Sequence, residues 1–60
     1  MTPKEKTVDI FYKYFEATNN HYIAKECALI AVNEIIEITQ HESPSSWVYY
    51  MEVKKEIEAL

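Results

Sequence analysis

Sixty residues, with ten acidic and six basic side chains and a net charge of −4, describe one small acidic domain spanning 1–60. All six basic residues are lysines, and a chain without arginine or a basic footprint argues against direct binding to DNA or RNA. One cysteine excludes an internal disulfide. A chain this short buries only roughly 60% of its unfolded surface, so its helices must pack well or find a partner.

The absence of glycine removes the usual residue of hairpin turns and points to an all-α fold. In chain order, Thr2-Pro3-Lys4-Glu5 reads as a helix start: Thr2 as cap, Pro3 in the first turn, Glu5 closing a capping box. This first helix is expected over about 3–17. Val8, Phe11, Tyr12 and Phe15 share one face at helical spacing and form its expected inward seam, leaving Ile10 and Tyr14 on another side.

Asn19-Asn20 breaks the pattern, and either amide can cap the second helix, expected over about 22–40. On a wheel at roughly 100° per residue, Ala24, Cys27, Ala28, Ala31, Ile35 and Ile38 form one arc, which Leu29, Val32 and Ile36 widen beyond half the circumference. An ordinary surface helix carries a narrower stripe. The second helix is therefore expected to be central, with its alanines admitting a helix on each side. Phe11, Phe15, Tyr50 and Ile57 are expected to fill the space between them. Glu26, Glu34 and Glu37 fall on its exposed arc, as a solvated face or as an acidic contact surface.

Ser43-Pro44 repeats the opening logic and starts the third helix, expected over about 44–59. Tyr50, Val53, Ile57 and Leu60 make its inward seam. Trp47, Val48 and Met51 lie off that seam. Together with Ile10 and Tyr14 they are the apolar side chains this arrangement leaves over, and they are the expected partner contacts. That surplus also makes a homodimer the expected state if no other protein covers it.

The chemistry-bearing residues do not assemble into a site. Cys27 sits within the apolar arc, where a small core residue is the simplest role. His21 and His41 bracket the second helix, roughly 30 Å apart at 1.5 Å per residue, so one metal cannot bridge them. No cofactor, metal site or catalytic group is expected, and neither is enzyme activity. No apolar run is long enough to cross a membrane, and the N-terminus lacks the layout of a signal peptide, so the cytoplasm is the expected location.

The stretch KECALIAVNEIIE, then a polar loop and an aromatic run ending in EVKKEIEAL, resembles small helical proteins encoded by phages and prophages of Bacteroidota. The likeness runs from Lys25 to Leu60 and lies mostly on packing positions. It implies an origin on a mobile element and, by that, a protein that binds a host protein. Anti-CRISPR proteins are one such class, and an inhibitor of a CRISPR RNA-guided nuclease, perhaps of type VI, fits the resemblance. It carries over no catalytic residues. The partner this implies is a host protein with a basic surface. Two alternatives are a helical homo-oligomer that sequesters a signalling nucleotide, for which Lys13, Lys25, Lys54 and Lys55 are the candidate ligands, and a structural or regulatory phage protein.

Overall fold

In a computed structural model that describes residues 1–60, three helices account for nearly the whole chain. They are α1 (Pro3–Thr18), α2 (His21–Glu42) and α3 (Pro44–Glu58). Each packs on the other two, in a body of 34 × 19 × 16 Å.

The ends of the helices are set by local chemistry. At the start of α1, the Glu5 amide donates to Thr2 Oγ1 at 3.2 Å and the Thr2 amide donates to Glu5 Oε1 at 3.0 Å. Two otherwise orphaned backbone donors are thus satisfied reciprocally, with Pro3 supplying a preset φ. Accepting from the Thr2 amide, with the Thr2 side chain adding to it, holds the Glu5 carboxyl below its ordinary value.

The turn between α1 and α2 needs only two residues, each doing a different task. Asn19 adopts the left-handed conformation (φ 51°) that ends α1, and asparagine tolerates it better than most residues. Asn20 is extended, and its side chain accepts from the Ile23 amide at 3.0 Å to start α2.

Between α2 and α3 the link shrinks to one residue. Ser43 is at once the last cap of α2 and the first of α3. The expected side-chain cap is not made: Ser43 Oγ donates instead to Ser46 Oγ at 3.1 Å. Pro44 enforces the break, because the residue before a proline is pushed out of helical geometry. His41 and Glu42, expected in a loop, therefore continue α2, which runs two residues past Gln40.

The core is small and built around α2. Ala24, Ala28 and Val32, spaced by four along one line of α2, are wholly buried, as are Val53 and Ile57 of α3. The two alanines act as expected, allowing neighbouring backbones close to α2. Tyr14, Leu29, Ile36, Tyr49 and Tyr50 close over this cluster from its edges.

α1 corrects the sequence expectation. Its inward line is Thr7, Ile10 and Tyr14, with Thr7 buried and Ile10 only 9% exposed. Val8 and Tyr12, expected inside, are exposed, and Phe11 and Phe15 are half-buried. The apolar pattern misled because the innermost position is polar. The Thr7 hydroxyl donates to the Pro3 carbonyl one turn back at 2.8 Å. It also lies 3.3 Å from the Val53 carbonyl of α3, so its burial leaves nothing unsatisfied.

Candidate functional site

The residues expected to meet a partner separate into three groups. Ile10 and Tyr14 belong to the interior: Ile10 is in the core cluster and Tyr14 packs against it. They are anchors of α1, not surface contacts.

Trp47 and Met51 are half-buried, one turn apart on a flank of α3. The orientation of that flank follows from its neighbours. Lys25 Nζ of α2 donates to the Glu58 carbonyl at the end of α3 at 3.1 Å. Tyr49, on the opposite flank of α3, reaches the chain start, where its hydroxyl donates to the Met1 and Thr2 carbonyls at 3.1 and 3.3 Å. Tyr49 therefore borders the start of α1, and Trp47 and Met51 lie on the flank turned away from it. Partial burial, with Tyr50 and Glu5 adding negative potential, raises the Tyr49 phenol above its ordinary value. Val48, 54% exposed, is an i,i+3 neighbour of Met51, so Trp47, Met51 and Val48 form one strip of α3 that turns outward toward Val48.

Glu26, Glu34 and Glu37 are all exposed on the outer arc of α2, as expected. Interleaved with them are apolar side chains, among them Ile38, which was expected in the packed arc but lies past the reach of α1 and α3. Ile23, Ile30 and Ile38 are exposed, Ile30 by 63%, and Cys27 between them is half-buried at the edge of the packed face. Positions 23, 27, 30, 34 and 38 follow one another at intervals of three and four, so they make one stripe along α2. Glu34 interrupts the stripe, and Glu26 and Glu37 border it.

A second group of apolar side chains runs from α1 to the start of α2. Phe11 packs edge-on to His21 at the start of α2, with ring centroids 5.1 Å apart, so the Phe11 side of α1 faces α2. Phe11 also stacks on Phe15 at 5.8 Å and meets Tyr12 edge-on at 6.0 Å. His21 in turn meets Tyr22, which is 79% exposed. An aromatic cluster thus caps the end of the molecule where α1 turns into α2, and Val8 extends it one turn along α1.

The signal for this surface was present in the wheel of α2. Ile23 and Ile30 lie outside the arc that two flanking helices can cover, and the same three-residue spacing that builds a core face recurs there.

The remaining polar groups are dispersed. Lys13 pairs with Asp9 at 3.8 Å on an exposed face, a contact of little energetic weight. Lys25 is engaged with α3, and Lys54 and Lys55 lie on α3 itself. No three His, Cys, Asp or Glu side chains gather where they could hold a metal ion, and no cavity opens in the surface. No helix is long and apolar enough to cross a membrane.

Comparison with family models, with curated proteins and with solved structures returns no match for this chain. Its function therefore has to be argued from this surface.

Proposed function

We propose that the chain is a protein-binding module of phage or prophage origin that inhibits a bacterial defence effector by direct contact. The observation that carries the binding reading is the amount of large apolar side chain left outside so small a core. Val8, Tyr12, Tyr22, Ile23, Ile30, Ile38 and Val48 are each about half exposed or more. Only six hydrophobic residues are buried. Contiguous apolar surface on a small domain is a mark of a contact site. The three glutamates among these side chains suit a partner with a basic surface, because opposite potentials steer encounter and exclude wrong partners. The resemblance of Lys25–Leu60 to small phage-encoded helical proteins supports the choice of an anti-CRISPR role, with a CRISPR RNA-guided nuclease as the effector.

Purified chain added to a reconstituted type VI effector should suppress its target-activated RNA cleavage at near-stoichiometric ratio. It should also co-elute with the effector on gel filtration. Full cleavage at a tenfold molar excess of folded chain, with no co-elution, would sink the nuclease-inhibitor reading. The binding module itself is tested by retention of one identified bacterial protein from lysate that an Ile30→Ser column fails to retain.

A further inference from the structure

Resting on the protein-binding reading above, we propose that the contact face is the α1–α2 side, and that its occupant is a basic amphipathic helix of another protein. Three observations carry this.

The first is spacing. Ile23, Cys27, Ile30, Glu34 and Ile38 recur at three and four residues along a single helix. That is the spacing by which one helix packs against another. From Ile23 to Ile38 the stripe is about 22 Å long at 1.5 Å per residue, the length of a helix of about four turns.

The second is position. α1 and α3 already occupy the two inner flanks of α2, and Lys25 turns toward α3, so the stripe lies on the flank nearer α1. A rod laid along this side would rest on α2 and α1 together, as a fourth helix completing a bundle. This is the mode by which an amphipathic helix docks its apolar face onto a prepared surface.

The third is charge. Glu26, Glu34 and Glu37 are the only formally charged side chains on the exposed arc of α2. The single lysine of α2, Lys25, lies on the other flank, donating to the Glu58 carbonyl. Lys4 borders the face only at its far end, one turn from Val8 on α1. Two copies joined through the stripe of α2 would bring six α2 carboxylates together with no α2 lysine among them. An occupant with lysine or arginine flanking its apolar stripe would instead place opposite charges against the glutamates.

The test uses a synthetic helix of about 22 residues with leucine at a and d positions and lysine at the flanking e and g positions. One control peptide carries glutamate at e and g, and a second keeps the lysine peptide's composition with its apolar face scrambled. Each is titrated calorimetrically into the whole chain, and the site is mapped by amide shifts.

The lysine peptide is expected to bind with a Kd below about 100 µM, weakening steeply with salt. Neither control should bind. Ile30→Ser and the triple variant Glu26→Gln/Glu34→Gln/Glu37→Gln should each weaken binding at least fivefold, with unchanged circular dichroism, and the triple variant should lose most of the salt dependence. Trp47→Ala should leave the affinity unchanged.

Absence of binding by the lysine peptide overturns the inference, as does equal binding of the scrambled control. Shifts confined to Trp47 and Met51, with Ile30→Ser without effect, overturn the choice of face while leaving the protein-binding reading intact. A dimer in sedimentation equilibrium that Ile30→Ser dissociates makes a second copy the occupant and overturns the choice of partner.

Discussion

α1 and α3 both lean on α2, but they spend their apolar residues differently. α3 contributes Val53 and Ile57, both wholly enclosed, and Tyr49 and Tyr50 shield them from the edge. α1 contributes one large aliphatic residue, Ile10, and one buried hydroxyl, Thr7. Its two phenylalanines are only half-buried, and Val8 and Tyr12 face outward. α3 is therefore mainly a core element, while α1 is a core element on one side and an apolar surface on the other. In a marginally stable 60-residue chain, apolar residues kept outside the core cost stability, and that cost points to use of the α1–α2 face in binding.

The sharpest way to break this comparison is to truncate the α3 side. Ile57→Ala should cost about 3 kcal/mol, from the lost transfer energy and the cavity left behind. A core of this size rarely supplies more than about 3–5 kcal/mol in total. Thermal and urea melts of the variant should therefore show it largely unfolded at room temperature. A midpoint close to the parent's would mean that α3 does not dominate the core.

On the α1 side the expected loss is smaller. Thr7→Ala removes a hydroxyl bound to the Pro3 carbonyl and near the Val53 carbonyl, together with one buried methyl. One hydrogen bond and one methyl amount to about 2 kcal/mol. A loss equal to that of Ile57→Ala would show that α1 is anchored as firmly as α3, and would erase the asymmetry.

Next comes the start of α1. Thr2→Ala removes the side-chain half of the capping box and should cost about 1 kcal/mol at neutral pH. The same box gives the parent chain a pH dependence. Glu5 has its folded pKa lowered from an ordinary value of 4.5, so its contribution is complete above that value. It is lost as pH falls through the depressed folded value. Urea midpoints measured from pH 6 downward should show this loss in the parent and a flatter profile in Glu5→Gln. Equal slopes would remove Glu5 from the account.

The smallest effect is expected on the α1–α2 face. Ile30→Ser should change stability by no more than about 0.5 kcal/mol, because its side chain is mostly in water already. A larger loss would mean that Ile30 supports the fold, and its exposure would no longer mark a contact surface.

Much of the architecture was legible in the chain itself. Thr2-Pro3 and Ser43-Pro44 marked two helix starts, and Asn19-Asn20 marked the turn between α1 and α2. These signals are local: a cap, a fixed φ or a left-handed residue acts within one turn. The centrality of α2 also followed from its wide apolar arc and its alanines. Local pattern could not tell which side of α1 turns inward. Val8, Phe11, Tyr12 and Phe15 outnumber Ile10 and Tyr14, and no count of apolar residues ranks Thr7 among the buried. Its burial depends on the Val53 carbonyl, a partner 46 residues away in the chain. The candidate face was half legible for the same reason. Glu26, Glu34 and Glu37 fell on the open side of the wheel together with Ile23 and Ile30, but Ile38 counted with the packed arc until the places of α1 and α3 around α2 were known.

Helix number, helix ends and the central place of α2 are thus properties of the sequence, because capping, proline geometry and apolar periodicity act over a few residues. The tertiary structure alone decided that Thr7 and Ile10 lie inside with Tyr14 packed at their edge, and that Ile38 remains outside. Each of those outcomes depends on where a neighbouring helix sits, and only packing between distant segments determines that.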